Sequence, residues 1–466
     1  MVNAPIDDLD STGSRRTARA LAIFTDIHPS EVKLTLQLFL IVFLMLTAYF
    51  MGKPVRESWL SVSVIGDLSK LEIKALSGFL QSIVLVGLLP FYTKLYDLLP
   101  RGKLLLCVNL FFVITFPIFY FVSPGLLNEN IPYVGVGFYV WIGIFSVMVV
   151  AQFWAFAADL YDDEAGKRLF PLIAIGAALG AILGSILTNF MIDTANLDNY
   201  AMLFFAPIPL ALATWLLWHV DKEEYAKDVA SGENLKAPPE DPRSAWRIIT
   251  GNRYILLIAL FIFMLNWIVT NGENILFAAV QDNIAQMDVS GLTPKEVEAF
   301  VGRETTQFYS KIYFWVNFLG LLLQAFVVSR LLKFGGLAGI LLVPPVVSLA
   351  STGAMGAASN LTTFTAAKTA ENATNHSVAN TARNILWLPV PKAALYKAKT
   401  AVDTICVRLA DALAAATVIS CTRFSNLSVK NFLIINFVLI VVWIIVALLI
   451  LRERRRWEQE KREGLV

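Results

Sequence analysis

Apolar runs of about twenty residues recur along this chain, each long enough to cross the roughly 30 Å hydrocarbon core of a bilayer as a helix. Twelve are found, at about 34–62, 73–98, 102–122, 134–160, 170–192, 200–219, 254–281, 306–332, 336–357, 361–378, 399–421 and 429–451. In lipid, a spanning segment must satisfy its own backbone N–H and C=O groups, so runs of this length form helices. The runs therefore predict an all-α polytopic membrane protein with twelve transmembrane helices. Composition removes the alternatives. Of 466 residues, 57% are apolar and only 16% charged, which leaves too little polar surface to coat a soluble core. A net charge of +2 and three cysteines argue against a nucleic-acid-binding module and a disulfide scaffold. Cys107, Cys406 and Cys421 lie in apolar runs without metal-ligand spacing and read as small core residues.

The polar stretches divide the chain. Residues 1–33 carry Arg15, Arg16, Arg19 and Lys33, with no apolar run until about residue 35, and read as a cytoplasmic tail rather than a cleaved leader. A six-helix bundle is expected over 34–219 and a second over 254–451. Between them, 220–253 holds Pro238, Pro239 and Pro242 and reads as a cytoplasmic linker with room for a short surface helix. A second tail follows at 452–466. Lys and Arg number 27 on the side of both termini against six opposite (Lys70, Lys74, Lys295, Arg303, Arg423, Lys430), with five inside spans. That bias places termini and linker in the cytoplasm. The halves echo each other in the short basic loops YDLLPRGK (96–103) and SRLLKFGG (329–336). Small residues recur at Gly176, Gly180 and Gly184, and at Ala410, Ala412, Ala414 and Ala416, a spacing that lets helix backbones approach closely.

Ionisable side chains inside spans are costly and mark function. Span one holds Lys53, Arg56 and Glu57, span seven Glu273 between Asn271 and Asn274, and span eight Lys311. Span ten holds Lys368 and Glu371, and span eleven Asp403, Arg408 and Asp411. Helix spacing lets Lys53 reach Glu57, Lys368 reach Glu371 and Arg408 reach Asp411. Such pairs either fix helix rotation or line a substrate site. Two cations and one anion in span one leave excess positive charge, which attracts an anion. Pro54 and Gly52 in span one, and Gly272 in span seven, predict interrupted helices around a midplane site. Asp159, Asp162, Lys167 and Arg168 form an ionic patch, either a solvated loop or a cytoplasmic gate. His376 titrates near neutrality when unperturbed and is expected near a span end, as an interfacial or coupling residue.

Three segments carry a resemblance: YFMGKPVRESW (49–59), FWAFAADLYDDEAGKRLFPLIAIGAALGAILG (153–184), and ENATNHSVANTARNILWLPVPKAALYKAKTAVDTICVRLADALAA (371–415). In order and spacing they resemble the ATP/ADP translocase-like nucleotide transporters of plastids and obligate intracellular bacteria, which are related to the major facilitator superfamily. The resemblance implies two six-helix pseudo-repeats of the major facilitator type, a monomer, and nucleotide exchange across a bacterial inner membrane. It places Lys53 and Glu273 on first-span and seventh-span residues important for nucleotide transport in that family. Ile142 and Asp411 stand where those carriers have an acidic residue and a lysine, which implies weaker triphosphate binding.

No G-x-x-x-x-G-K-[ST] loop and no H-E-x-x-H is found. No catalytic set, metal ligand or cofactor is expected, and transport would be secondary. The leading expectation is alternating-access carriage of a nucleotide or related organic anion across the inner membrane, by exchange. Lys53, Arg56, Lys311, Lys368 and Arg408 would bind the anion, with Glu57, Asn271, Glu273, Asn274, Glu371 and Asp411 setting selectivity and charge. The alternative is a proton-coupled symporter of a zwitterion or siderophore-like solute on the same fold, with Glu273, Asp411 or His376 carrying the proton.

Overall fold

The structure, a computed structural model, describes residues 27–98, 101–124, 131, 133–161, 163–231, 244–358, 360–390, 392–424 and 429–462. All regular structure among them is helical. The first apolar runs become α1 (Val32–Val62), α2 (Lys70–Leu98), α3 (Arg101–Phe121) and α5 (Asp163–Asp193). Between the last two, α4 is built from Val134–Phe145, Ser146–Val150 and Ala151–Asp159. α6 covers Pro207–Ser231 after one turn at Met202–Phe205, and α7 covers Arg253–Ile284. A 64-residue helical run then extends over Pro294–Ala357. Gly336 breaks it with φ 56° and ψ −150°, a conformation glycine adopts without a Cβ penalty. The run before the break is α8 and the run after it α9. α10 joins Leu361–Thr374, Asn375–Ala379 and Asn380–Leu386. α11 joins Lys392–Ala401, Val402–Cys406 and Val407–Phe424, and α12 covers Val429–Arg462.

Ten stretches among the described residues are long and apolar enough to cross a membrane, with the 64-residue run counted once. That run holds two crossings. α10 completes the twelve; Lys368, Glu371, Asn372 and Asn375 leave it too polar to qualify by hydropathy. Helix starts follow local chemistry. Asn252 accepts from the Tyr254 and Ile255 N–H groups at the head of α7. Thr293 and Glu296 form a reciprocal capping box on α8, with Pro294 in the first turn. The central segments of α4, α10 and α11, and Leu323–Val327 in α8, are π-helical, a wide-turn form common at functional sites.

The helices fall into two compact units. The first comprises residues up to Val55, Pro90–Asn130 and Ile142–Asn234. Here α1 and α5 touch backbone to backbone. A Cβ on Gly176 would lie 2.8 Å from the Phe39 carbonyl oxygen, and one on Gly184 2.5 Å from that of Thr47. A Cβ on Gly180 would collide with the Phe43 carbonyl itself. The glycine spacing read from sequence is thus a close-packed seam. Gly52 has a similar role, since its Cβ would meet Ile142 at 3.0 Å and Phe116 at 3.1 Å.

The second unit comprises Arg56–Leu89, Ile131–Trp141 and Leu235–Val466. Its core includes Phe261 and Trp443, both fully buried, with ring centroids 5.3 Å apart. The linker's short helix, Ala245–Gly251, buries Ile248 and Ile249 against this core. The end of α1 and the start of α2 belong here, tied to α8 and α11, and the start of α4 packs on that end of α1 through Trp59 and Phe138. Ser58 donates to the Gly302 carbonyl at 2.8 Å, Thr305 donates to Ser61 at 3.2 Å, and Arg423 pairs with Glu72 at 2.6 Å. Division by contact and division by sequence halves therefore follow different lines.

Three expectations are corrected. α1 and α7 run without interruption through Pro54 and Gly272; the glycines serve close packing rather than a break. α10 continues to Leu386, so His376 lies within the helix rather than near its end. Cys107 is exposed, whereas Cys406 and Cys421 are buried.

Candidate functional site

A cavity of about 120 Å³ lies within the second unit. It holds a small solute or several waters and falls well short of the about 300–1,000 Å³ of a pocket for a drug-sized ligand. Its walls carry Arg56, Glu57, Lys74, Glu273 and Asp411, with Gly78, Gln81, Tyr139, Thr270 and Asn274 between them.

Glu57 is 1% exposed and sits between two cations. Arg56 donates to its Oε1 from Nε at 3.0 Å, and Lys74 Nζ lies 3.0 Å from Oε2. The Arg56 guanidinium stacks 4.3 Å from the Tyr139 ring centroid. Lys74 also donates to the Glu273 backbone carbonyl at 3.3 Å. On the far wall, Asp411 accepts from Thr270 and from Arg408, each at 2.9 Å. Asn274 is buried on the same face of α7 as the cavity, and Asn271 is buried with its Oδ1 lacking a hydrogen-bond partner among the described residues.

Behind Glu273 lies a buried ionic pair. Lys368 is fully buried and bonds Glu371 at 2.6 Å, and Glu371 accepts from Ser348 at 2.8 Å. Glu273 accepts from Asn372 at 2.6 Å and lies 4.0 Å from Lys368. Gly272 makes this possible, because a Cβ there would collide with the Lys368 ammonium.

The structure thus brings together Arg56, Glu57, Asn274, Glu273, Lys368, Glu371, Arg408 and Asp411 from the sequence-predicted set. The pairs Lys368–Glu371 and Arg408–Asp411 form as spacing predicted. The pairing of Lys53 with Glu57 is corrected: Arg56 and Lys74 hold Glu57, while Lys53 belongs to the first unit, over the rings of Tyr49 and Phe50 at 5.7 and 5.0 Å. The expected positive excess goes with it. The cavity walls and their bonded neighbours hold four cations (Arg56, Lys74, Lys368, Arg408) and four carboxylates (Glu57, Glu273, Glu371, Asp411). Lys311 is exposed and outside the cavity wall. Asp403 pairs with Arg383 at 2.8 Å, and His376 is exposed on α10.

Of the gate residues, Asp162 lies outside the described residues, as do the side chains of Asp159 and Lys167. Arg168 pairs with Glu31 at 2.8 Å. Burial raises the Glu31 pKa, but the hydrogen bonds from Arg168 and the His28 N–H outweigh it and hold that carboxyl below its ordinary value. Sequence reasoning missed Lys74, Gln81, Tyr139 and Thr270. A signal was present for two of them, since Lys74, Gly78 and Gln81 follow the i, i+4, i+7 spacing of one helix face. Among the described residues, no cluster of side chains could hold a metal ion.

Residues 38–391 match the profile of the Major Facilitator Superfamily. No curated protein sequence matches the chain. Solved structures do match over nearly all of it. A D-xylose–proton symporter aligns at 14% identity over 90% of this chain and 96% of its own, with a TM-score of 0.60. The nucleoside transporter NupG aligns at 12% over 90% and 99%, with a TM-score of 0.58. The human organic anion transporter MFSD10 aligns at 14% over 90% and 100%, with a TM-score of 0.57. At these identities the likeness is one of fold.

Proposed function

Because this chain belongs to the Major Facilitator Superfamily, and so is an integral membrane secondary transporter rather than an enzyme, we propose that it carries a small zwitterionic solute coupled to protons. The halves 34–219 and 254–451 are the moving bodies of an alternating-access cycle, joined by the 220–253 linker. Termini and linker lie in the cytoplasm of a bacterial cell, beneath its inner membrane, as the 27-to-6 bias of basic residues supports.

The observation that carries the reading is the balance of charge over the cavity wall and its bonded neighbours. Glu57, Glu371 and Asp411 each have a cation within 3.0 Å. A multiply charged anion would enter a site with every cation already engaged. A solute bearing both signs can exchange partners with such pairs at little net electrostatic cost. Glu273 shares Lys368 with Glu371, and a carboxylate that shares its cation is well placed to take up a proton. Lys368 would release Glu371 to hold the solute's carboxylate, with Glu371 kept by its bond from Ser348.

A second reading has its own support. The KP-x-RE segment resembles that of nucleotide exchangers, and Lys53 stands beside two aromatic rings able to stack on a base. Under it, the substrate is a nucleotide or related organic anion, exchanged rather than symported.

Proteoliposomes separate the two. Zwitterionic amino acids and dipeptides, added outside, should acidify an enclosed pH dye, and Glu273→Gln should abolish that signal. Labelled ATP should not enter, with or without internal ADP. ATP uptake that needs internal ADP, ignores an imposed pH gradient and is lost in Lys53→Ala would overturn the proposal in favour of exchange.

A further inference from the structure

Lys74 is held as a bound ligand is held. It projects from α2 and is 4% exposed. Its ammonium meets the Glu57 carboxylate at 3.0 Å and the Glu273 backbone carbonyl at 3.3 Å. It also stands 4.5 Å from the ring centroid of Phe277 and 5.6 Å from that of Tyr309. Both rings are fully buried. A helix-to-helix tie needs one ion pair. Here a carboxylate, a carbonyl and two π faces converge on one cation, which is the chemistry that recognises a desolvated ammonium. The Tyr309 hydroxyl is moreover buried with no hydrogen-bond partner among the described residues.

We propose that this cage is the amine subsite for the transported solute, and that Lys74 occupies it as an internal stand-in. The inference rests on the zwitterion reading and narrows it to solutes with a primary ammonium on an unbranched carbon chain. Glu57 comes from α1, while Glu273, Phe277 and Tyr309 come from α7 and α8. Parting α2 from α7 and α8 withdraws the lysine and bares the carbonyl and both rings to the solute's ammonium. When α2 returns, Lys74 displaces that ammonium. Closure on this side and retention of the amine in the cage exclude each other, so closing drives release.

The atoms lost in Lys74→Ala are those of n-propylammonium, which keeps its charge at neutral pH as lysine does. The test is thermal unfolding of purified full-length protein, titrated with n-propylammonium chloride, with n-propanol and sodium chloride as controls. Saturable stabilisation of Lys74→Ala by propylammonium alone, absent from the wild type, is expected. Adding Phe277→Leu should weaken that effect about tenfold. If Lys74→Ala does not fold unaided, recovery of folded protein on extraction into propylammonium becomes the readout. No stabilisation and no recovery would overturn the cage, as would equal action on the wild type or by propanol. The underlying reading fails separately. Propylammonium binding without any proton-coupled zwitterion uptake keeps the cage and removes the symport. Intact uptake without propylammonium binding does the reverse.

Discussion

Two helix seams in this molecule put glycine to opposite uses. In the first unit, α5 lays Gly176, Gly180 and Gly184 against backbone carbonyls of α1, and no charge enters. In the second, α7 sets Gly272 against α10, and the space left by the missing side chain receives the Lys368 ammonium. One seam spends the vacancy on backbone approach, the other on a buried ion. The same residue type therefore marks a backbone contact in one place and room for a buried ion in the other. What distinguishes them is the atom that the absent Cβ would strike.

The strongest way to break this comparison is to unbalance the charged seam. Glu371→Ala leaves Lys368 fully buried without its 2.6 Å partner, and should cost about 3–5 kcal/mol in unfolding experiments. Replacing both, as Lys368→Met with Glu371→Leu, should restore most of that stability while transport stays lost. A double variant as unstable as the single one would show that the seam depends on more than pairing.

The uncharged seam should answer to size alone. Gly180→Ala forces a methyl onto the Phe43 carbonyl, which cannot move without α1, and should cost about 1–3 kcal/mol. Gly272→Ala meets side-chain ends rather than backbone, the Lys368 ammonium and, at 3.4 Å, the Glu371 carboxylate. It should lower melting by less and reduce uptake by more. Reversal of that order, read by paired melting and transport assays, would erase the distinction between the seams.

The smallest expected effect lies at the edge of the first unit, in Glu31–Arg168. Glu31→Gln should cost no more than about 1 kcal/mol at neutral pH, since both side chains are partly exposed. The folded state holds the Glu31 pKa below its ordinary value. The stabilisation is therefore present above that value and disappears as pH falls through the folded-state pKa. The melting gap between variant and wild type should close on acidification. A gap that widens instead would reverse the sign of the contact.

Much of this was legible because it is local. Hydropathy found the crossings, and three-residue spacing found Lys368–Glu371 and Arg408–Asp411. Four-residue spacing found the α5 seam. The rest depends on contacts distant in sequence. Spacing joined Glu57 to Lys53, but helix α2 delivers Lys74 to it instead. Arg56 pairs with its immediate neighbour, which regular helix geometry does not favour, because Tyr139 gives its guanidinium a face to lie on. A charge near the end of an apolar run, as at Lys74, looks the same in sequence whether it faces water or a cage. The polar residues of α10 shorten the run that hydropathy reads, which places His376 near its end.

The balance of four cations and four carboxylates has an electrical consequence. Moving one elementary charge through a membrane potential takes about 2.3 kcal/mol per 100 mV. A site whose own charges cancel has no such toll when it reorients empty, so the return stroke is insensitive to voltage. Under the proposed proton-coupled zwitterion symport, current would then report the cargo alone: the zwitterion contributes nothing, and each accompanying proton contributes one positive charge.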